Sequence, residues 1–188
     1  MSHPEASETF LLMVDMQPVF FPVLAGADGV VKRCTLALES ARGLGLGIGF
    51  TEQVPAKLGP TAPGLLAAAP GAPVWGKTAF SALGDPTVRA ALHDRGVRRL
   101  LLAGIETPIC IFQTAADALQ AGFEVTVLAD AVTARRPEDA RHALAELGRR
   151  GAAVLPVETV FYQWLRDANH PFFRAFTDRK STRLNSSH

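Results

Sequence analysis

Hydrophobic positions along the chain fall into short unbroken runs separated by longer stretches with helical spacing. Residues 10–14, Phe10-Leu11-Leu12-Met13-Val14, form one such run, closed by Asp15. Runs of this kind fit strands buried on both faces. Similar runs predict further strands at 46–51, 99–103, 125–129 and 152–155. Helical spacing of apolar residues covers 30–44, 87–95, 109–121, 137–150 and 159–168. Asp85 and Pro86 give the second of these helices an N-cap and a first-turn proline. Gly45, Gly122 and Gly151 follow three of the helices as stop signals. Strand and helix alternate throughout, which predicts βαβ units, a parallel sheet and a single three-layer α/β domain. In that architecture a site lies beyond the carboxyl ends of the strands. Residues 52–76, with Pro55, Pro60, Pro63, Pro70 and Pro73, read as one long loop, and loops of that length in compact domains usually carry function.

Composition narrows the function classes. The chain has 188 residues, 48% of them hydrophobic, enough for one sizeable core and too little for two full ones. Nineteen basic residues oppose eighteen acidic ones, and the basic residues are scattered, so neither nucleic acid nor an anionic membrane is an expected partner. No apolar run approaches the ~18–20 residues of a membrane span. The start, Met1-Ser2-His3-Pro4-Glu5, is polar and acidic, unlike a signal peptide. Two cysteines make no disulfide framework, and free thiols in the cytoplasm are the expectation. The five histidines form no ligand-spaced cluster with cysteine. Residues 179–188, with one apolar residue in ten, share nothing with the preceding sequence. They are expected to be a non-native or disordered tail on a domain spanning 8–178.

Three residues sit where the sheet places a site. Asp15 follows the first strand, Cys110 opens the helix after the 99–103 strand, and Lys77 lies in the long loop. A helix N-terminus favours a thiolate, and a lysine ammonium should lower the thiol pKa further. A carboxylate within reach would move the proton. Cys, Lys and Asp converging at one sheet edge would make a nucleophilic site in which no histidine takes part. Neither Asp15 nor Lys77 reads as a core residue. Cys34, inside an ordinary helix, reads as a small buried hydrophobe, and as the one candidate resolving thiol if Cys110 were a redox sensor. Gln17 and Glu106 flank these residues and are candidate substrate contacts. Phe20, Phe21, Trp75 and Phe80 border the same loops and are candidate walls of a small apolar pocket, Phe20 and Trp75 foremost. Asp130 ends a strand and reads as a turn cap. The glycine run 43–49 follows a helix and enters a strand, the reverse of a dinucleotide fingerprint.

The segments Leu11-Leu12-Met13-Val14-Asp15-Met16-Gln17, Gly76-Lys77-Thr78-Ala79-Phe80-Ser81 and Gly104-Ile105-Glu106-Thr107-Pro108-Ile109-Cys110 resemble, in order and separation, three motifs of the isochorismatase-like cysteine hydrolases. The likeness extends over roughly residues 8–176. It implies a Rossmann-like sheet of about six strands and an Asp–Lys–Cys triad at Asp15, Lys77 and Cys110. It also implies a cis peptide between Ile105 and Glu106 and a homo-oligomeric assembly. Six aromatic residues between Phe161 and Phe176 add weak support for an interface. Cleavage of a C–N bond in a small-molecule substrate, without a cofactor, is the activity implied. The metal-binding branch of the family carries Asp-x-His where this chain has Thr51-Glu52-Gln53, so no catalytic metal is expected. Isochorismatase itself lacks the cysteine, and Cys110 points away from that reaction. Pro108 stands where many relatives have histidine. That replacement supports a rival in which the motifs serve a binding or assembly protein.

Overall fold

The computed structural model describes residues 5–184, with side chains through Asp178. The first four residues, on which most of the reading of the N-terminus rests, lie outside the described residues. So do the last four of the expected tail.

Six strands build the sheet: β1 (Thr9–Val14), β2 (Gly47–Gln53), β3 (Val74–Lys77), β4 (Arg99–Ile105), β5 (Glu124–Thr133) and β6 (Ala153–Leu155). They are hydrogen-bonded in the order β3-β2-β1-β4-β5-β6, and every neighbouring pair is parallel. The order reverses between β1 and β4. In doubly wound sheets a crevice for ligands opens at that point, beyond the strands' carboxyl ends.

Alternating residues of β1 feed two cores. Leu11 and Met13 face a cluster with helices α1 (Ala27–Leu44), α3 (Pro63–Ala68), α7 (Val157–Leu165) and α8 (Phe173–Leu184). Phe10, Leu12 and Val14 face the other cluster, with α4 (Pro86–Asp94), α5 (Phe112–Gln120) and α6 (Pro137–Arg149). These five apolar β1 side chains are at most 1% exposed. Burying each contributes about 1.5–3 kcal/mol, which is why this run had to be strand. Asp85 caps α4 by accepting from the Thr87 and Val88 N–H groups. Among the described residues no helix is long and apolar enough to cross a membrane.

The structure departs from expectation in the long loop and at the carboxyl end. The segment 52–76 is not a single loop. It contains the end of β2, the short helices α2 (Pro55–Leu58) and α3, and most of β3. Pro55 and Pro63 occupy first turns, where a missing N–H costs nothing, so these prolines start helices rather than break structure. β3 is a four-residue edge strand with Val74 exposed, too short and too wet to leave an apolar run. The helix α8 continues through Leu184, so the backbone is helical across the boundary drawn at 178. Its inward face does what the composition hides: Phe176 is fully buried against Phe161 and Tyr162. The carboxyl-terminal aromatics therefore pack onto their own chain's core, which removes the sequence support drawn from them for an interface.

Candidate functional site

The residues at the strand ends assemble the site. β1 hands over to Asp15, which has a positive φ of 54°. Asparagine and aspartate tolerate that left-handed conformation better than other residues with a Cβ. The turn aims the carboxylate across the ends of β2 and β3. Thr51, near the end of β2, donates its hydroxyl to Asp15 Oδ1 at 2.8 Å. Lys77, the last residue of β3, reaches back over β2 and places Nζ 2.7 Å from Asp15 Oδ2 and 3.9 Å from Cys110 Sγ. The Lys77 and Asp15 side chains are 0% and 2% exposed, so this is a fully buried ion pair and both residues belong to the interior. Gln53 accepts from Lys77 Nζ at 2.6 Å, and the carbonyls of Ala79 and Phe80 accept at 3.2 Å each.

Cys110 arrives from β4. Gly104 has a φ of +117°, and a Cβ there would lie 2.1 Å from the Val14 carbonyl oxygen, so only glycine lets β4 pass β1 this closely. The Ile105–Glu106 peptide is cis. A wide π-type turn, Thr107–Ile111, then carries the cysteine before α5 begins. Cys110 thus sits in an irregular turn rather than at a regular helix start, and its thiol is pushed up to about 12. Burial is the main cause, and the Asp15 charge and its hydrogen bond add to it. Lys77 and the Glu106 backbone pull the other way and lose. The expected lowered pKa is therefore corrected. Lys77 spends its charge on four oxygens, all nearer to it than the sulfur, and Asp15 holds the thiol proton in place.

A cavity of about 320 Å³ opens over the sulfur. Phe20, Val54, Leu58, Phe80, Ile105 and Ile109 wall it, and Asp15, Gln53, Glu106 and Cys110 provide its polar atoms. Of the four candidate contacts, Phe20 and Glu106 line this cavity. Glu106 is shared with Arg135, whose Nε donates to its Oε2 at 3.1 Å. Gln17 and Trp75 are placed elsewhere. Gln17 is fully buried as a strut, donating to the Gln53 and Gly59 carbonyls and accepting from the Gln53 N–H. Trp75 turns to the outer part of the sheet. It packs 6.2 Å from the Phe10 ring and covers Gly49, where a Cβ would lie 2.5 Å from the indole. Phe21 joins the core rather than the cavity.

Thr51 and Gln53 escaped the sequence reading. Their signal was present: two polar residues at the carboxyl end of a strand that neighbours β1, one of them wholly buried. Glu52 between them also turns inward and accepts from the Thr61 N–H at 2.6 Å, fastening the segment that supplies Leu58. Asp130 lies inside β5 rather than at a strand end as expected; it accepts from the Val157 N–H at the start of α7 and pairs with Arg33. Pro108 lines a neighbouring cavity with Arg135, Arg136 and Asp139 and is absent from the walls over Cys110. No group of three or more His, Cys, Asp or Glu among the described residues could hold a metal ion.

The fold and site together define a Rossmann-like α/β protein with a buried aspartate–lysine pair against a cysteine. Comparison with known proteins agrees in class. The family profile described as Isochorismatase domain matches residues 9–159. Isochorismatase domain-containing protein 2A of Mus musculus is 39% identical over 172 residues, covering 91% of this chain and 81% of that protein. The MAR1 ribonuclease structure from Caenorhabditis elegans superposes with a TM-score of 0.87 at 28% identity, covering 93% of this chain and 90% of that one. YcaC from Pseudomonas aeruginosa, solved with hexane-2,5-diol and covalent acrylamide, superposes with a TM-score of 0.88 over 96% and 93% of the two chains. At 23% identity it speaks to the fold. The chain belongs to the isochorismatase family.

Proposed function

We propose that the chain is a cysteine hydrolase that cleaves an amide-type C–N bond of a small molecule through a covalent Cys110 intermediate. One observation carries the reading: a single buried ammonium, Lys77 Nζ, lies within 4 Å of both a carboxylate and a thiol beside an apolar-walled cavity.

The chemistry follows from the protonation state. A thiol held protonated at rest needs a base at the moment of attack, and Asp15 is in place to take the proton. Sγ adds to the carbonyl carbon, and the negative charge moves onto the carbonyl oxygen. Asp15 passes the proton to the departing nitrogen, the C–N bond breaks, and an amine and a Cys110 thioester remain. Water then attacks the thioester and gives a proton to Asp15, which returns it to the leaving thiolate. One amide and one water become one acid and one amine. Lys77 keeps the carboxylate aligned through both halves.

The rival binding-protein reading rests on Pro108, which lies outside the Cys110 cavity and takes nothing from the cluster. The ribonuclease name of the C. elegans structure finds no counterpart in the cavity either. The walls are apolar, and the nearby Arg135 and Arg136 are paired with Glu106 and Asp139. Homo-oligomeric assembly and a cytoplasmic location go with the proposal. A monomeric mass by light scattering would sink the first. The test of the activity is a panel of small amides and carbamoyl compounds offered to wild type and Cys110→Ala. Hydrolysis by wild type alone is expected, and equal rates in the two would overturn the proposal.

A further inference from the structure

We infer that the substrate carries an apolar acyl group, with no polar or charged substituent beyond the bond that is cut. The inference rests on the amide-hydrolase reading and goes further, from what lines the cavity to what can enter it.

The walls are hydrocarbon on every element that contributes to them. Phe20 comes from the turn after β1, Val54 and Leu58 from the segment after β2, Phe80 from the loop after β3, and Ile105 and Ile109 from β4 and the nucleophile turn. Asp15 and Gln53 among them are engaged, and so is one oxygen of Glu106. Asp15 accepts from Thr51 on one oxygen and from Lys77 on the other. Gln53 accepts from Lys77 through Oε1 and donates from Nε2 to the Thr78 carbonyl at 2.8 Å. Glu106 gives one oxygen to the Arg135 side chain and backbone N–H.

A hydroxyl, carboxylate or ammonium elsewhere on the substrate would lose its water to hydrocarbon, or would have to break one of these pairs. Either event penalises binding by at least about tenfold. An apolar group of the same shape gains from the same walls. The cavity volume, about 320 Å³, is near the lower end of the ~300–1,000 Å³ found for small-molecule sites, so a compact small molecule fits it.

Two isosteric pairs test this: isobutyramide against lactamide, and 4-methylpentanamide against succinamate. Each compound is assayed for kcat/KM and, separately, for protection of Cys110 from iodoacetamide, read by mass spectrometry of the Cys110 peptide. The apolar member of each pair is expected to protect at a concentration at least tenfold lower and to be turned over at least tenfold more efficiently. Leu58→Asn, which puts an amide on the wall, should shift both ratios toward the polar members. Protection by the apolar members without any hydrolysis would keep this inference and remove the amide-hydrolase reading. Cys110-dependent hydrolysis in which the polar members do as well would keep that reading and overturn this inference. No protection by any of the four would overturn it too.

Discussion

The two cysteines of this chain occupy opposite faces of one sheet and share much of their physics. Cys34 lies in the α1 core and Cys110 in the α5 core, and both are buried with their thiols pushed up. Burial is the leading cause for each, and a nearby aspartate adds to it, Asp130 for Cys34 and Asp15 for Cys110. The difference is in what else reaches the sulfur. Cys34 donates to the Ala131 carbonyl at 3.3 Å, and no cation lowers its pKa. Cys110 has Lys77 at 3.9 Å, the Asp15 carboxylate hydrogen-bonded to its thiol, and a cavity above it. A raised thiol pKa alone therefore says nothing about reactivity. A proton acceptor and room for an electrophile distinguish the two sites. The sheet between them also removes the intramolecular form of a redox pair, since a disulfide needs Cα atoms within about 7 Å.

Breaking the comparison at its centre gives the largest effect. Cys110→Ala should lower kcat on any hydrolysed amide by about 10⁴-fold or more, whereas Cys34→Ala should keep kcat and lose only about 1 kcal/mol of stability. Equal losses of rate in the two variants would erase the distinction. Asp15→Asn should cost about 10²–10⁴-fold in turnover by removing the proton acceptor. It should also speed alkylation of Cys110, because the charge and hydrogen bond that hold the thiol up are gone while Lys77 stays. A slower alkylation would contradict this.

Lys77→Met tests the pair through stability. It leaves the Asp15 carboxylate without its ammonium in the interior, and chemical denaturation should report a loss of about 3–5 kcal/mol. Rising pH separates folded from unfolded thiols. In the unfolded chain cysteines ionise near pH ~8.5, while folded Cys110 keeps its proton to about 12. The folded state then binds more protons, so stability should fall as pH rises across that window, with Cys34 contributing in the same direction. Replacing both cysteines by alanine should flatten the slope. The smallest effect belongs to Gln53→Ala. Lys77 keeps Asp15 and two carbonyls, so a roughly 10- to 100-fold loss in kcat from a less fixed ammonium is expected, with stability little changed.

Much of this was legible in the sequence, for reasons that differ by element. β1 and β4 announce themselves because both faces are buried, and Asp15 and Cys110 are legible because one directly follows such a strand and the other lies in the turn just after one. Lys77 was found as a residue but not as the end of a strand, since β3 is an exposed edge without apolar periodicity. Gln17 and Trp75 were misassigned for a shared reason: adjacency to a motif does not fix direction. Gln17 turns inward to brace Gln53, and Trp75 turns away to cover Gly49. Thr51 and Gln53 act through partners on neighbouring strands, which a linear pattern does not display. The sign of the Cys110 shift depended on the balance of burial against one cation, and only the three-dimensional placement of Lys77 among its oxygen acceptors decides it.

The most direct test of a nucleophilic Cys110 is to catch the bond. Wild type and both cysteine-to-alanine variants are mixed with excess isobutyramide, quenched in acid within the first turnovers and analysed by intact-protein and peptide mass spectrometry. The prediction is a transient isobutyryl adduct on Cys110 in wild type and Cys34→Ala, and none in Cys110→Ala. Hydrolysis that persists in Cys110→Ala, or an adduct carried by Cys34, would contradict it.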